Sequence, residues 1–496
     1  MALAELVAHL LQQNFNEDWN KKFRLDTLNI LSSWMQLPEC RDRNAETEAM
    51  LTFDHRPHVD ELLQLVMSDT YVQRNGSTVL LLDLIIGHVR SGIYDSRYRC
   101  LLLCLCRVLR IEEVELDQCE EAAVDLLKSL QNEKDEGMTA ALQKRKNFKR
   151  LAMIGAGGAV GGLLIGLTGG LATPVLAMGL SALAGSTALV GLTTSAGAAV
   201  MGSLFGITGA CWTGYKLKRR IGAVEEFTFE LLNGGGSSLC VTLAVSGWIT
   251  ENFVESFRQP WTSLNSSKEQ WCLRYESEYL LEFGKAVNYI VSMGVTYAVQ
   301  HALMETSLAG VLSAVAWPVG LIAAAGVIDN PWNVCMCRAK EVGEQLAGIL
   351  IARKHGNRPV SLFGFSVGAR VIYHCLLSMA AHENCQGIIM DVVLLGAPVG
   401  CNTSEWTTLL RVAAGRVVNG YSRSDWLLKF LYRAMNLQAT VAGLGPVMSD
   451  NQRLENCDLS SIISSHGDYM TNLTTCLKAV GIRTKLQVHL PRFDFD

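Results

Sequence analysis

Between Pro359 and Ile372 the chain reads Pro359-Val-Ser-Leu-Phe-Gly364-Phe-Ser366-Val-Gly368-Ala-Arg-Val-Ile372. An apolar run, Val360–Phe363, ends in Gly-x-Ser-x-Gly. Apolar residues then recur at helical spacing at Val371, Ile372, Cys375, Leu376 and Met379. A strand that becomes a helix this quickly has no room for a Cβ two positions either side of the serine, hence Gly364 and Gly368. Such a turn lifts Ser366 above the carboxyl edge of a sheet. The helix start behind it offers backbone N–H groups to a developing oxyanion. The pattern predicts an α/β fold with a mostly parallel, α/β-hydrolase-like sheet. The plainer alternative is a glycine-rich β–α turn with a solvated serine, and the flanking strand and helix weigh against it.

A serine nucleophile needs an oxyanion hole, an acid and a histidine, and the chain supplies each in the order Ser…Asp…His. Upstream, Leu239–Val245 reads as a buried strand that ends in Ser246-Gly247-Trp248. Its turn, Gly247 and Trp248, is the expected source of one oxyanion N–H, and Val367, after the serine, of the other. Downstream, Ile388–Leu395 and the run from Arg416 to Tyr421 read as strands. Asp425 follows the second and is the expected acid. Asp458 is its main competitor, while Asp391 lies within a strand and Asp450 in a loop. Only His466 and His489 follow Asp425, and His489 is in the terminal tail. His466 is therefore the expected base. It would take the proton from Ser366 while Asp425 fixes its tautomer. His355, His374 and His382 read as surface residues of flanking helices.

The chain has 496 residues, enough for two or three domains. Its 43 basic and 47 acidic residues give a net charge of −4, so no nucleic-acid partner is expected. The cysteines form no C-x-x-C pair and no Cys/His cluster with zinc spacing, so neither a metal nor a cofactor is implied. Residues 1–135 read as a helical N-terminal domain. Residues 111–150 form a charged helix within and beyond it, with a short coiled coil as one reading and an amphipathic helix as the other.

From Leu151 to Tyr215 there is no charged residue and no histidine over 65 positions. A membrane span needs about 20 such residues. Glycines spaced four apart (Gly157/Gly161, Gly158/Gly162, Gly162/Gly166) favour close helix packing in lipid. Basic clusters flank the stretch at Lys144–Arg150 and Lys216–Arg220. A Gly/Ala-rich transmembrane hairpin over 151–215, with both flanks cytosolic, is the expectation. The N-terminus lacks a basic, uninterrupted apolar leader, so no secretory signal is expected. Residues 221–485 form the expected hydrolase-like domain, with an apolar insertion at 287–328 and a tail at 486–496. One crossing by the insertion would separate strands that must share a sheet. It is therefore expected to be a lid or to dip into the membrane.

Several segments together resemble the family of transmembrane and coiled-coil domain-containing protein 4. They are Thr213–Phe229, Ala244-Val-Ser-Gly-Trp248, Val327-Ile-Asp-Asn-Pro-Trp332, Gly364–Tyr373, Asn419–Leu428 and Ser465-His-Gly-Asp-Tyr469. The resemblance runs from about residue 70 to Lys485. It implies a multi-pass membrane protein with a hydrolase-like domain and supplies no substrate. The combined expectation is a membrane-embedded serine hydrolase of an intracellular membrane, its soluble domains facing the cytosol and cleaving a lipid or acyl ester. The competing reading is a non-catalytic scaffold or trafficking adaptor whose N-terminal helices bind protein partners.

Overall fold

The computed structural model describes residues 2–34, 59–132, 194–205, 224–234, 238–251, 254–304, 319–434 and 440–485. The chain divides into two compact units. One comprises Met1–Gly209, Ser237–Leu239 and Gly356–Pro359. The other comprises Ala210–Gly236, Cys240–His355 and Val360–Asp496.

Among the described residues the secondary-structure elements of the first unit are all helices. Its centre is the helix Thr78–Val89, apolar almost all round and buried on nearly every side. A helix of that composition must be enclosed by others, and the helices Lys21–Trp34 and Glu113–Asn132 pack on it. Asp95 caps the helix Ser96–Leu109 by accepting from the Arg97 N–H. The interior also holds polar groups in pairs. The Tyr94 hydroxyl and Arg99 Nε both reach Glu120 Oε1 at 2.7 Å, and the Tyr71 hydroxyl donates to Asp83 Oδ2 at 2.8 Å.

Asp83 is 2% exposed, and burial lifts its carboxyl to about 6, with the Tyr71 hydroxyl pulling it partly back. A folded-state value above the ordinary 3.8 means the fold binds this proton more tightly than the open chain does. That contribution is complete below pH 4 and is lost as pH rises through 6. Asp83→Asn keeps an acceptor for Tyr71 and carries no charge. It should stabilise the protein by roughly 2–3 kcal/mol at pH 8 and by almost nothing near pH 4, read by urea unfolding of the full chain at both values.

The expected transmembrane hairpin requires correction. Among the described residues no helix is long and apolar enough to cross a membrane. Residues 151–193 and 206–215 lie outside the described residues. The described part, Thr194–Phe205, is a helix of 12 residues, about 18 Å long against a hydrocarbon core of about 30 Å. Its apolar end serves a protein core instead. Leu204 is fully buried, Met201 and Phe205 nearly so, and the helix packs on Glu113–Asn132. The same helix meets the turn after Thr78–Val89, where Ser203 Oγ donates to the Gly92 carbonyl at 2.8 Å. Glycine spacing that permits close approach in lipid permits it equally between helices of a globular unit. The fold is thus mixed α/β, without support for a spanning hairpin.

The second unit is built on a seven-stranded sheet. Its strands are β1 (Phe227–Asn233), β2 (Val241–Val245), β3 (Glu269–Tyr275), β4 (Val360–Phe365), β5 (Ile389–Leu395), β6 (Val417–Tyr421) and β7 (Leu454–Asp458). The order is β1-β3-β2-β4-β5-β6-β7, with β1 antiparallel to β3 and every other pair parallel. Strands β2, β4 and β5 are apolar at most positions and buried almost throughout, as expected where helices cover both faces of a parallel sheet. The strand order reverses direction at β2 and β4, the topological switch point where ligands bind in open α/β sheets.

Two long helices, Ser277–Met304 and Val319–Ile351, pack on each other and carry the two ends of the apolar insertion. Its middle, 305–318, lies outside the described residues, as do 133–150 of the charged segment and 486–496 of the tail.

Candidate active site

Ser366 sits where β4 turns into the helix Val367–Ala380, with φ +54° and ψ −126°. A non-glycine residue here stores about 1–3 kcal/mol of strain, which surrounding contacts must hold. They do so from both sides: the Ser366 N–H donates to Leu395 O of β5 at 2.8 Å, and its carbonyl accepts from the Arg370 N–H at 3.2 Å. A methyl at Gly368 would lie 2.1 Å from the Val245 carbonyl oxygen, and one at Gly364 would lie 2.9 Å from the Ala369 nitrogen. Both are backbone atoms, so neither can step aside.

The structure brings Ser366, His466 and Asp425 together. Ser366 Oγ is 2.6 Å from His466 Nε2, and His466 Nδ1 is 2.6 Å from Asp425 Oδ2. Since a carboxylate only accepts, Nδ1 carries the proton and Nε2 presents its lone pair to the serine hydroxyl. The second carboxylate oxygen, Oδ1, accepts the Leu428 N–H at 3.0 Å, so both oxygens of Asp425 are held. All three residues are fully buried.

Other sequence candidates lie elsewhere. Asp458 ends β7 at the sheet edge, its side chain 42% exposed, where it accepts from the Ser460 N–H at 2.9 Å. Those bonds from Ser460 hold its carboxyl below the ordinary value. Asp391 accepts the Arg416 N–H, and Asp450 is exposed. His489 lies outside the described residues. His382 is exposed and His374 half-buried, but His355 is fully buried. The expectation of a surface position on a helix fails for His355, which lies in the turn after the helix ending at Ile351 and is fully buried there.

The Gly247–Trp248 turn follows β2, directly beside β4. A methyl at Gly247 would lie 2.5 Å from Ser366 Cβ and 2.6 Å from the Phe365 carbonyl oxygen. Glycine therefore lets this loop touch the serine. Val367 begins its helix, where an N–H has no intrahelical acceptor. Gly247→Ala should push the loop away from Ser366 and destabilise the fold by about 1–3 kcal/mol, the usual cost of forcing a methyl into a packed site. Thermal melting checks this.

Sequence reasoning missed the groups that hold these parts. Ser246 is clamped twice: its Oγ accepts the Trp261 indole N–H at 2.9 Å, and its carbonyl accepts the Tyr275 hydroxyl at 2.8 Å. Ser422 Oγ donates to the Ile463 carbonyl at 2.6 Å, joining the turn that carries Asp425 to the loop that carries His466. Asp468 Oδ2 accepts the N–H groups of Ser464 and Ser465, each at 2.8 Å. Trp248 stacks on the His466 ring, and Tyr469 stands edge-on to it. Burial keeps the Tyr469 hydroxyl protonated far above its ordinary range. Among the described residues no group of His, Cys, Asp and Glu could hold a metal ion.

The family model described as Protein of unknown function (DUF726) matches residues 146–483. An uncharacterized membrane protein of Caenorhabditis elegans is 44% identical over 97% of this chain and 79% of its own length. A rice protein named transmembrane and coiled-coil domain-containing protein STS1 is 34% identical, over 81% of this chain and 63% of its own. A Saccharomyces cerevisiae protein named probable lipase MIL1 is 31% identical, over 81% of this chain and 38% of its own. No solved structure matches the chain.

Proposed function

We propose that this chain, which belongs to the DUF726 family, is a serine hydrolase that cleaves an acyl ester through Ser366, His466 and Asp425. The observation that carries the reading is the continuous chain of short hydrogen bonds from Ser366 Oγ through both nitrogens of His466 to Asp425. A structural serine has no need of a base, nor that base of a buried acid.

In this reading Ser366 Oγ attacks the ester carbonyl carbon as His466 Nε2 takes its proton. The N–H groups of Trp248 and Val367 receive the oxyanion. The C–O bond to the alcohol breaks, and the alcohol leaves with the proton from His466. Water then repeats the sequence on the acyl-enzyme. It gives a proton to His466, and Ser366 recovers it as the acid departs.

A lipid ester is the substrate class that fits best. The catalytic residues are closed off from water, and Trp248, stacked on His466, begins a buried aromatic cluster that continues through Phe283 to Trp332. An acyl chain can replace such packing without stranding polar groups. The relatives' names, membrane proteins and a probable lipase, agree with membrane association and a lipid substrate.

The test is labelling of detergent-solubilised protein with a fluorophosphonate probe, followed by peptide mapping. Adduct on Ser366, absent from Ser366→Ala and His466→Ala, is the expected result. Folded wild type that stays unlabelled across detergents and lipid vesicles would sink the reading.

A further inference from the structure

Trp248 has two separate parts to play. Its N–H belongs to the oxyanion loop, whereas its side chain reaches back over the base. The indole and the His466 imidazole lie 5.5 Å apart, centroid to centroid, at an interplanar angle of 30°. Tyr469, the other aromatic neighbour of His466, stands at 73° and offers no parallel face. The indole is itself fixed. Phe365 meets it edge-on at 5.2 Å, and Phe283 does so at 6.2 Å. The helix Ser277–Met304 presses on the same loop: a methyl at Gly284 would lie 2.1 Å from the Ile249 carbonyl oxygen and 3.1 Å from Trp248 Cδ1. Trp248 is 1% exposed.

We propose that the indole of Trp248 is a positioning residue that acts through His466: its π face holds the imidazole plane in line with Ser366 and Asp425 and stabilises the imidazolium formed during acyl transfer. This rests on the hydrolase reading above.

The physical case has two parts. The imidazole must point Nδ1 at Asp425 and Nε2 at Ser366 at once, and rotation out of plane breaks both bonds. A near-parallel ring with two edge-on neighbours of its own resists that rotation. As the reaction proceeds, His466 gains a positive charge in a site without water. A tryptophan face within about 6 Å attracts a cation through its quadrupole, and the attraction grows where water is excluded. It is stronger for the imidazolium than for the neutral ring, so it lowers the barrier rather than merely tightening the ground state.

The test replaces Trp248 alone with tryptophans carrying successively more fluorine, which empties the π face while keeping the ring's shape. The rate of fluorophosphonate labelling at saturating probe is read beside the melting temperature. The rate should fall stepwise, by about 2- to 30-fold across the series, a range set by the energy of such contacts. Melting should stay constant. Trp248→Phe should retain more of the rate than Trp248→Leu. A flat rate across the fluorinated series, in protein that labels at Ser366, overturns the proposal and leaves the hydrolase reading standing. Wild type that never labels overturns both.

Discussion

Ser366→Ala is expected to lower ester turnover by on the order of 10⁶, and adding His466→Ala to it should cost almost nothing more. In the proposed mechanism the two groups work as one unit. Without the base the hydroxyl is a poor nucleophile, and without the hydroxyl the base has no proton to take. The residual rate belongs to the oxyanion loop and to substrate binding. A third variant separates chemistry from folding. Ser366 holds φ +54°, a region that a Cβ disfavours and glycine adopts freely. Ser366→Gly should be as inactive as Ser366→Ala yet melt higher, because the strain of about 1–3 kcal/mol is relieved. Additive losses in the double variant would show that the two side chains do not act together.

The parts of the site that could be read from the sequence are those that local sterics impose. Gly364 and Gly368 are needed wherever a strand turns into a helix this sharply, so the motif announces its own geometry. The order of chain segments then put Asp425 after β6 and His466 after β7, since parallel strands fill a sheet outward from its switch point. What stayed hidden is long-range. Ser246 with Trp261 and Tyr275, or Ser422 with Ile463, join side chains to groups far along the chain, and no periodicity marks such bonds. The face that Trp248 turns to His466 is equally silent in a linear reading. The charge-free stretch misled for a related reason. Composition records apolarity without saying what absorbs it, and for Leu204 and Phe205 that is a helical core.

Asp425→Asn should lower turnover by about 10⁴-fold with little change in melting, whereas Asp458→Asn should leave turnover within about two-fold of wild type. Asp425 follows β6 and Asp458 ends the neighbouring β7, both at the carboxyl edge of the sheet, so the sequence offers each of them the same role. Their surroundings divide them. Asp425 follows β6, inside the sheet. One of its oxygens is held by the Leu428 N–H, and the other meets His466 Nδ1 at 2.6 Å. An asparagine there keeps the shape but can present an N–H to Nδ1. That favours the tautomer with the proton on Nε2, where it blocks acceptance from Ser366. Asp458 ends the edge strand β7 beside Arg423 and Ser460, and its bonds are local to that exposed turn. Removing its charge leaves His466 untouched. Because the loss at Asp425 comes from a misplaced proton rather than a missing side chain, Asp425→Asn should regain rate at high pH, where a strong base can substitute for the blocked nitrogen. A loss at Asp458 equal to that at Asp425 would assign the acid wrongly.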